Sequence, residues 1–142
     1  MTPAQVQIIK LTFAQVMGQR DQVARMFYDR LFAIAPETRA LFQGNIEAQG
    51  RKLMDTLALA IGTLRDKPTL VSTLETLAQR HVSYGVRDEH YDKVGEALLW
   101  TLEQGLGAAF TKDARAAWAA LYKTVAEIMR NAAGTMQGKA VA

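Results

Sequence analysis

The chain contains no cysteine. Disulfides, thiolate nucleophiles and cysteine-bound zinc are excluded together by that absence. Proline is scarce: of three prolines in 142 residues, only Pro36 and Pro68 lie beyond the N-terminus, and no stretch reads as a linker. Aromatic residues make up 8% of the chain. Alanine and leucine are abundant while valine and isoleucine are modest, which favours helix over sheet. No charge of one sign dominates. The formal net charge is +3, and Arg51-Lys52 is the only adjacent basic pair. A nucleic-acid binder gathers such residues on one face or in one run, so no nucleic-acid partner is expected. No apolar run approaches the roughly 20 residues of a membrane span. The start, MTPAQVQIIKLTF, lacks the charged and apolar regions of a signal peptide. A soluble, cytoplasmic protein without membrane contact is the expectation. A Gly-rich phosphate loop, a His-Glu-x-x-His metal motif and a nucleophile elbow are also missing.

What is present is helical periodicity. Thr2, Pro3 and Gln5 announce a helix start, with Thr2 as cap and Gln5 completing a capping box. Val6, Ile9, Phe13 and Val16 make its apolar face, and Gly18 offers a stop. A second helix from Asp21 presents Val23, Phe27, Leu31 and Ile34, and ends near Ala35 because Pro36 disfavours helical backbone before it. Pro36 suits the first turn of a short helix carrying Leu41 and Phe42. After a break at 43–45, Ile46, Gly50, Leu53, Leu57, Ile61 and Leu64 trace another face. Asp66-Lys67-Pro68 interrupts, and a helix carrying His81 follows, with its exit at Tyr84-Gly85-Val86. A long helix from Asp88 ends at Gly105 and Gly107, and a last one is capped by Thr111. From Gly134 the tail has little to pack and is expected to fray. The reading is one all-α domain of seven or eight helices over 1–133, with a tail over 134–142.

Leu70, Leu74, Leu77 and His81 share one helical face, so an imidazole ends a leucine stripe. Either it is a core histidine bonded to a backbone carbonyl, or it is a ligand. His90 is nine residues on and belongs to a different helix, so the two do not share a metal. With two histidines and no cysteine, a transition metal is best carried inside a cofactor. Haem needs only one strong protein ligand, because the porphyrin supplies four. Tyr28 follows core-facing Phe27, and Gln49 lies one turn before Leu53; each is either a boundary side chain or an inward polar group.

The chain resembles single-domain globins along nearly its whole length: bacterial haemoglobins, the globin domain of flavohaemoglobins, and neuroglobins. The resemblance is carried by MFYDRLFAIAPETRALF from Met26 to Phe42, and by Arg80-His81 followed by Tyr84-Gly85-Val86. HYDKVGEALLWTLEQGLGAAF from His90 and ARAAWAALYKTVAEIM from Ala114 continue it. It implies a globin fold around haem b (iron protoporphyrin IX), with His81 as axial ligand through Nε2 and its Nδ1–H donated to the Leu77 carbonyl. Phe42 corresponds to the phenylalanine that packs on the haem. Leu53, Val94 and Leu98 match pocket-lining positions, and Lys52 a position near a propionate. Tyr28 and Gln49 match distal hydrogen-bond donors of bacterial globins; at the Gln49 position other members carry histidine, so a five-coordinate or water-bound iron is implied. The implied ligands are O2, CO and NO.

The implied function is reversible dioxygen binding. Nitric oxide dioxygenation with an external reductase is the alternative, and gas sensing a minor one. Flavohaemoglobins pair the proximal histidine with a tyrosine, matched here by Tyr91, and a glutamate, whose position falls at Ala133. That departure argues for a milder electronic push and for oxygen binding over catalysis.

Overall fold

The structure, a computed structural model, describes residues 1–42 and 44–141, the last seven by their backbone alone. Gln43, in the expected break, and Ala142, the last residue of the tail expected to fray, fall outside the described residues; the tail up to Val141 is described as helix. Helix α1 (Pro3–Met17) opens with the capping box: Thr2 Oγ1 accepts from the Gln5 N–H and Gln5 Oε1 from the Thr2 N–H, both at 3.1 Å. Helix α2 (Arg20–Ile34) stops before Pro36, and a 3-10 helix, Pro36–Leu41, follows. Asn45 caps α3 (Ile46–Gly62), accepting from the Glu47 N–H at 2.7 Å. Asp66 caps α4 (Lys67–Ser83) by accepting from Thr69 N–H, and Gly85, at φ 90°, turns the chain out of it. Helix α5 (Asp88–Leu106) starts with His90 Nδ1 accepting from the Arg87 N–H at 2.9 Å, and Gly107 at φ 55° ends it. Thr111 caps α6 (Lys112–Val141), preceded by a 3-10 turn, Gly107–Ala109. The element order matches the periodicity throughout, and no strand is present among the described residues.

The helices bury two apolar clusters. The larger joins α1, α2, α3, α5 and α6 around Ile9, Leu31, Met54, Leu98 and Trp118. Trp118, fully buried, donates its indole N–H to Thr12 Oγ1 at 2.8 Å, so the polar end of the largest core side chain is satisfied. The smaller cluster seats α4 on α6 through Leu70, Leu74, Ala78, Ala126 and Met129, together with Tyr91 of α5. Helices α3 and α4 scarcely touch one another. No helix among the described residues is long and apolar enough to cross a membrane.

Gly95 is where α5 and α6 approach most closely. A Cβ there would stand 2.7 Å from Cε2 of Tyr122, and the Tyr122 hydroxyl is held by the Tyr91 carbonyl, so the ring cannot swing aside freely. Gly95→Ala is expected to destabilise the fold by about 1–3 kcal/mol through overpacking. This outweighs the roughly 1 kcal/mol that alanine gains over glycine in a helix. Denaturant titration of the two proteins measures the difference; a Gly95→Ala protein more stable than the parent would show that the crossing can relax.

Candidate functional site

The stripe on α4 loses cover as it proceeds. Leu70 and Leu74 are buried at 3% and 1% exposure, whereas Leu77 and His81 are only half-buried. The His81 imidazole therefore stands at the half-buried end of the stripe. Its Nδ1 lies 2.9 Å from the Leu77 carbonyl, one turn back, as the family resemblance implied. A carbonyl only accepts, so Nδ1 carries the proton, and the lone pair belongs to Nε2. Nε2 has no hydrogen-bond partner among the described residues. Burial lowers the His81 pKa and the Leu77 bond partly offsets that, so the ring is held in the neutral form that a metal ligand requires. Among the described residues no group of three or more His, Asp or Glu side chains is arranged to hold a metal ion.

Across the gap, Tyr28 is fully inside, 3% exposed, which rules out the boundary reading of this residue. It sits in an aromatic nest: ring centroids lie 5.0 Å from Phe27, 6.0 Å from Phe32 and 5.2 Å from Phe42. Burial pushes its phenol pKa up to about 12. A side-chain hydrogen bond with Gln49 acts in the opposite, lowering direction. Gln49 itself is half-buried on α3.

Leu53 and Leu98 line one small apolar cavity of about 10 Å³ in the main core, shared with side chains of α1, α2 and α6. Val94, half-buried, packs on the same cluster. Lys52 is exposed and makes no ion pair among the described residues. Among the described residues no hydrogen bond or ring contact joins His81 to Tyr28 and its neighbours. The two sides meet at the rim, where a Cβ on Gly85 would be 3.6 Å from Leu41, next to Phe42.

The model of the globin family matches residues 25–129. The chain belongs to the globin family. Relatives of this globin include the flavohemoprotein of Bordetella pertussis, 32% identical over 91% of this chain and 33% of that protein. That of Vibrio cholerae is 29% identical over 96% and 35%, and that of Rhizobium meliloti 33% identical over 86% and 31%. The chain thus spans about a third of the length of the curated relatives it matches. Globin membership and these relatives imply a haem cofactor. The donor set fits it: an imidazole held neutral, with its Nδ1 engaged by the Leu77 carbonyl and Nε2 without a partner among the described residues.

Reasoning on the sequence did not find Phe32 as part of the nest, nor the contacts of Arg130 described below. The i, i+4 spacing of Tyr28 and Phe32 was the available signal for the first. His90, buried at 7% exposure, caps its own helix with Nδ1 and stays apart from both sides of the site.

Proposed function

We propose that this globin holds haem b through His81 Nε2 and binds dioxygen reversibly on the opposite side. The observation that carries the reading is the imidazole itself. Its tautomer is fixed on Leu77, its Nε2 lacks a partner among the described residues, and it stands where the leucine stripe leaves the core. When bound, haem supplies an iron that takes diatomic gases and shifts negative charge onto dioxygen. Phe42, Leu53, Val94 and Leu98 provide the apolar walls, while exposed Lys52 is placed to meet a propionate. Tyr28 keeps its proton and offers it to the negative end of the ligand. Gln49 supplies an amide N–H as a second donor. The only other histidine, His90, is engaged at the start of α5, which favours a five-coordinate or water-bound iron over a bis-histidyl one.

Nitric oxide dioxygenation is the second reading, favoured by the Tyr28–Gln49 pair and by relatives named flavohemoproteins. It requires an external reductase if no reductase is joined to the globin. Alanine at position 133, where the resemblance places a glutamate, favours oxygen binding.

Absorption spectra of the haem-loaded protein in ferric, ferrous, oxy and carbonmonoxy forms test the first reading. A stable oxy form and a ferric spectrum free of bis-histidine bands are expected. A bis-histidyl ferric form would overturn it. Nitric oxide consumption with a supplied reductant separates the two readings.

A further inference from the structure

The N-terminal turns of α5 are gripped by a single side chain from α6. Arg130 Nη2 donates to Asp92 Oδ1 at 2.8 Å and to the Asp88 carbonyl at 3.2 Å. Its Nε lies 3.0 Å from Asp88 Oδ1, buried but not aligned for a hydrogen bond. The guanidinium carbon stands 5.4 Å from the centre of the Tyr91 ring, within cation–π range. Two turns or so earlier on α6, Tyr122 donates its hydroxyl to the Tyr91 carbonyl. Ring and main chain of Tyr91 are thus both held from α6.

Such a grip adds little to stability. The Asp88 and Asp92 side chains are 79% and 73% exposed, and ion pairs of that kind are largely screened. The planar fork of the guanidinium is better suited to fixing a position. The position fixed is that of Tyr91, buried in the cluster that seats α4 through Leu74 and Ala78. Leu77, whose carbonyl accepts from His81, packs against that cluster. So does Val86, whose N–H donates to the His81 carbonyl at 3.0 Å. The residues that orient the imidazole therefore pack on the cluster to which Tyr91, the residue that Arg130 holds, belongs.

We propose that Arg130 is a positioning residue for His81: by clamping Tyr91 and the start of α5 it sets the seat of the proximal turn of α4, and with it the orientation of the imidazole. The proposal rests on the reading of His81 as the axial ligand. Arg130 touches neither haem nor gas and acts only through Tyr91 and its apolar neighbours.

The test compares the full chain with Arg130→Met, which keeps an apolar stem without the charge, and with Arg130→Lys. Two readouts are taken. One is the iron–histidine stretching band of the ferrous, unligated, haem-loaded protein. The other is the exchange rate of the His81 Nδ1 proton in the haem-free protein. Arg130→Met is expected to shift and broaden the band and to speed proton exchange, on the order of tenfold, through easier local opening. Arg130→Lys is expected to fall between, since an ammonium can pair with an aspartate but cannot span both and cover the ring. A Met variant that melts lower yet leaves band and exchange unmoved would overturn the proposal, leaving Arg130 a merely structural residue. If Arg130→Met does not fold, Asp92→Asn weakens one arm of the clamp and is read the same way. His81→Ala separates the two claims. A stretching band that survives in it means that His81 is not the ligand, and the exchange rate in the haem-free protein then decides the clamp alone.

Discussion

Replacing His81 by alanine is expected to abolish stable ligation of haem iron. Loss of an outer-sphere partner of a metal-bound histidine typically weakens binding about 10–100-fold, and loss of the ligand itself should exceed that. The fold should survive. The only side-chain hydrogen bond lost is the one to the Leu77 carbonyl, itself part of a helix, and such a bond is worth about 1 kcal/mol. Haem that still enters the apolar gap would be held by contact alone and should transfer readily to an acceptor apoprotein. Added imidazole should restore a ligated spectrum, because truncation leaves room for the ring. The rate of haem transfer and the ferrous spectrum, with and without imidazole, measure this. A His81→Ala protein with an unchanged spectrum would place the ligand elsewhere.

Tyr28→Phe should speed dioxygen dissociation by about 10- to 100-fold. A hydrogen bond to a charged acceptor contributes about 1.5–3 kcal/mol, and each 1.4 kcal/mol is about tenfold. Carbon monoxide draws less charge, so its affinity should change much less. The substitution keeps the ring and hence the contacts to Phe27, Phe32 and Phe42, which separates the hydroxyl from packing. The contrast should be flat from about pH 6 to about pH 9. Burial raises an acid's pKa by disfavouring its charged form, and with the phenol near 12 the proton to be donated is present throughout that range. Stopped-flow displacement of dioxygen by carbon monoxide gives the rates. If oxygen release is unaltered, Tyr28 is not the dominant donor.

Much of this was legible before the structure. Capping residues are local signals: Thr2, Gln5 and Thr111 were read as such and stand at helix starts, because a side chain three residues away satisfies the first free N–H groups, whereas Asn45 and Asp66, read only as breaks, cap α3 and α4. Periodicity placed Leu70, Leu74 and His81 on one face for the same reason: residues three or four apart on a helix are neighbours. The resemblance then selected His81, Tyr28 and Gln49 from the candidates. Periodicity alone could not choose between a core histidine and a ligand, since both occupy such a stripe.

The sequence by itself determined the helices, their order and their apolar faces, because those depend on contacts within a few residues. Tertiary structure decided the rest. It put Tyr28 inside an aromatic nest and left the His81 end of the α4 stripe half-buried. It also brought Arg130 across to Asp88, Asp92 and Tyr91, some forty residues earlier in the chain. No local pattern encodes these placements. They arise only when α5 and α6 pack at Gly95 and when α3 and α4 stay apart. His81 was a polar residue in an apolar row by sequence alone; the structure buries Leu70 and Leu74 of that row, leaves His81 half-buried, and gives its Nε2 no partner among the described residues.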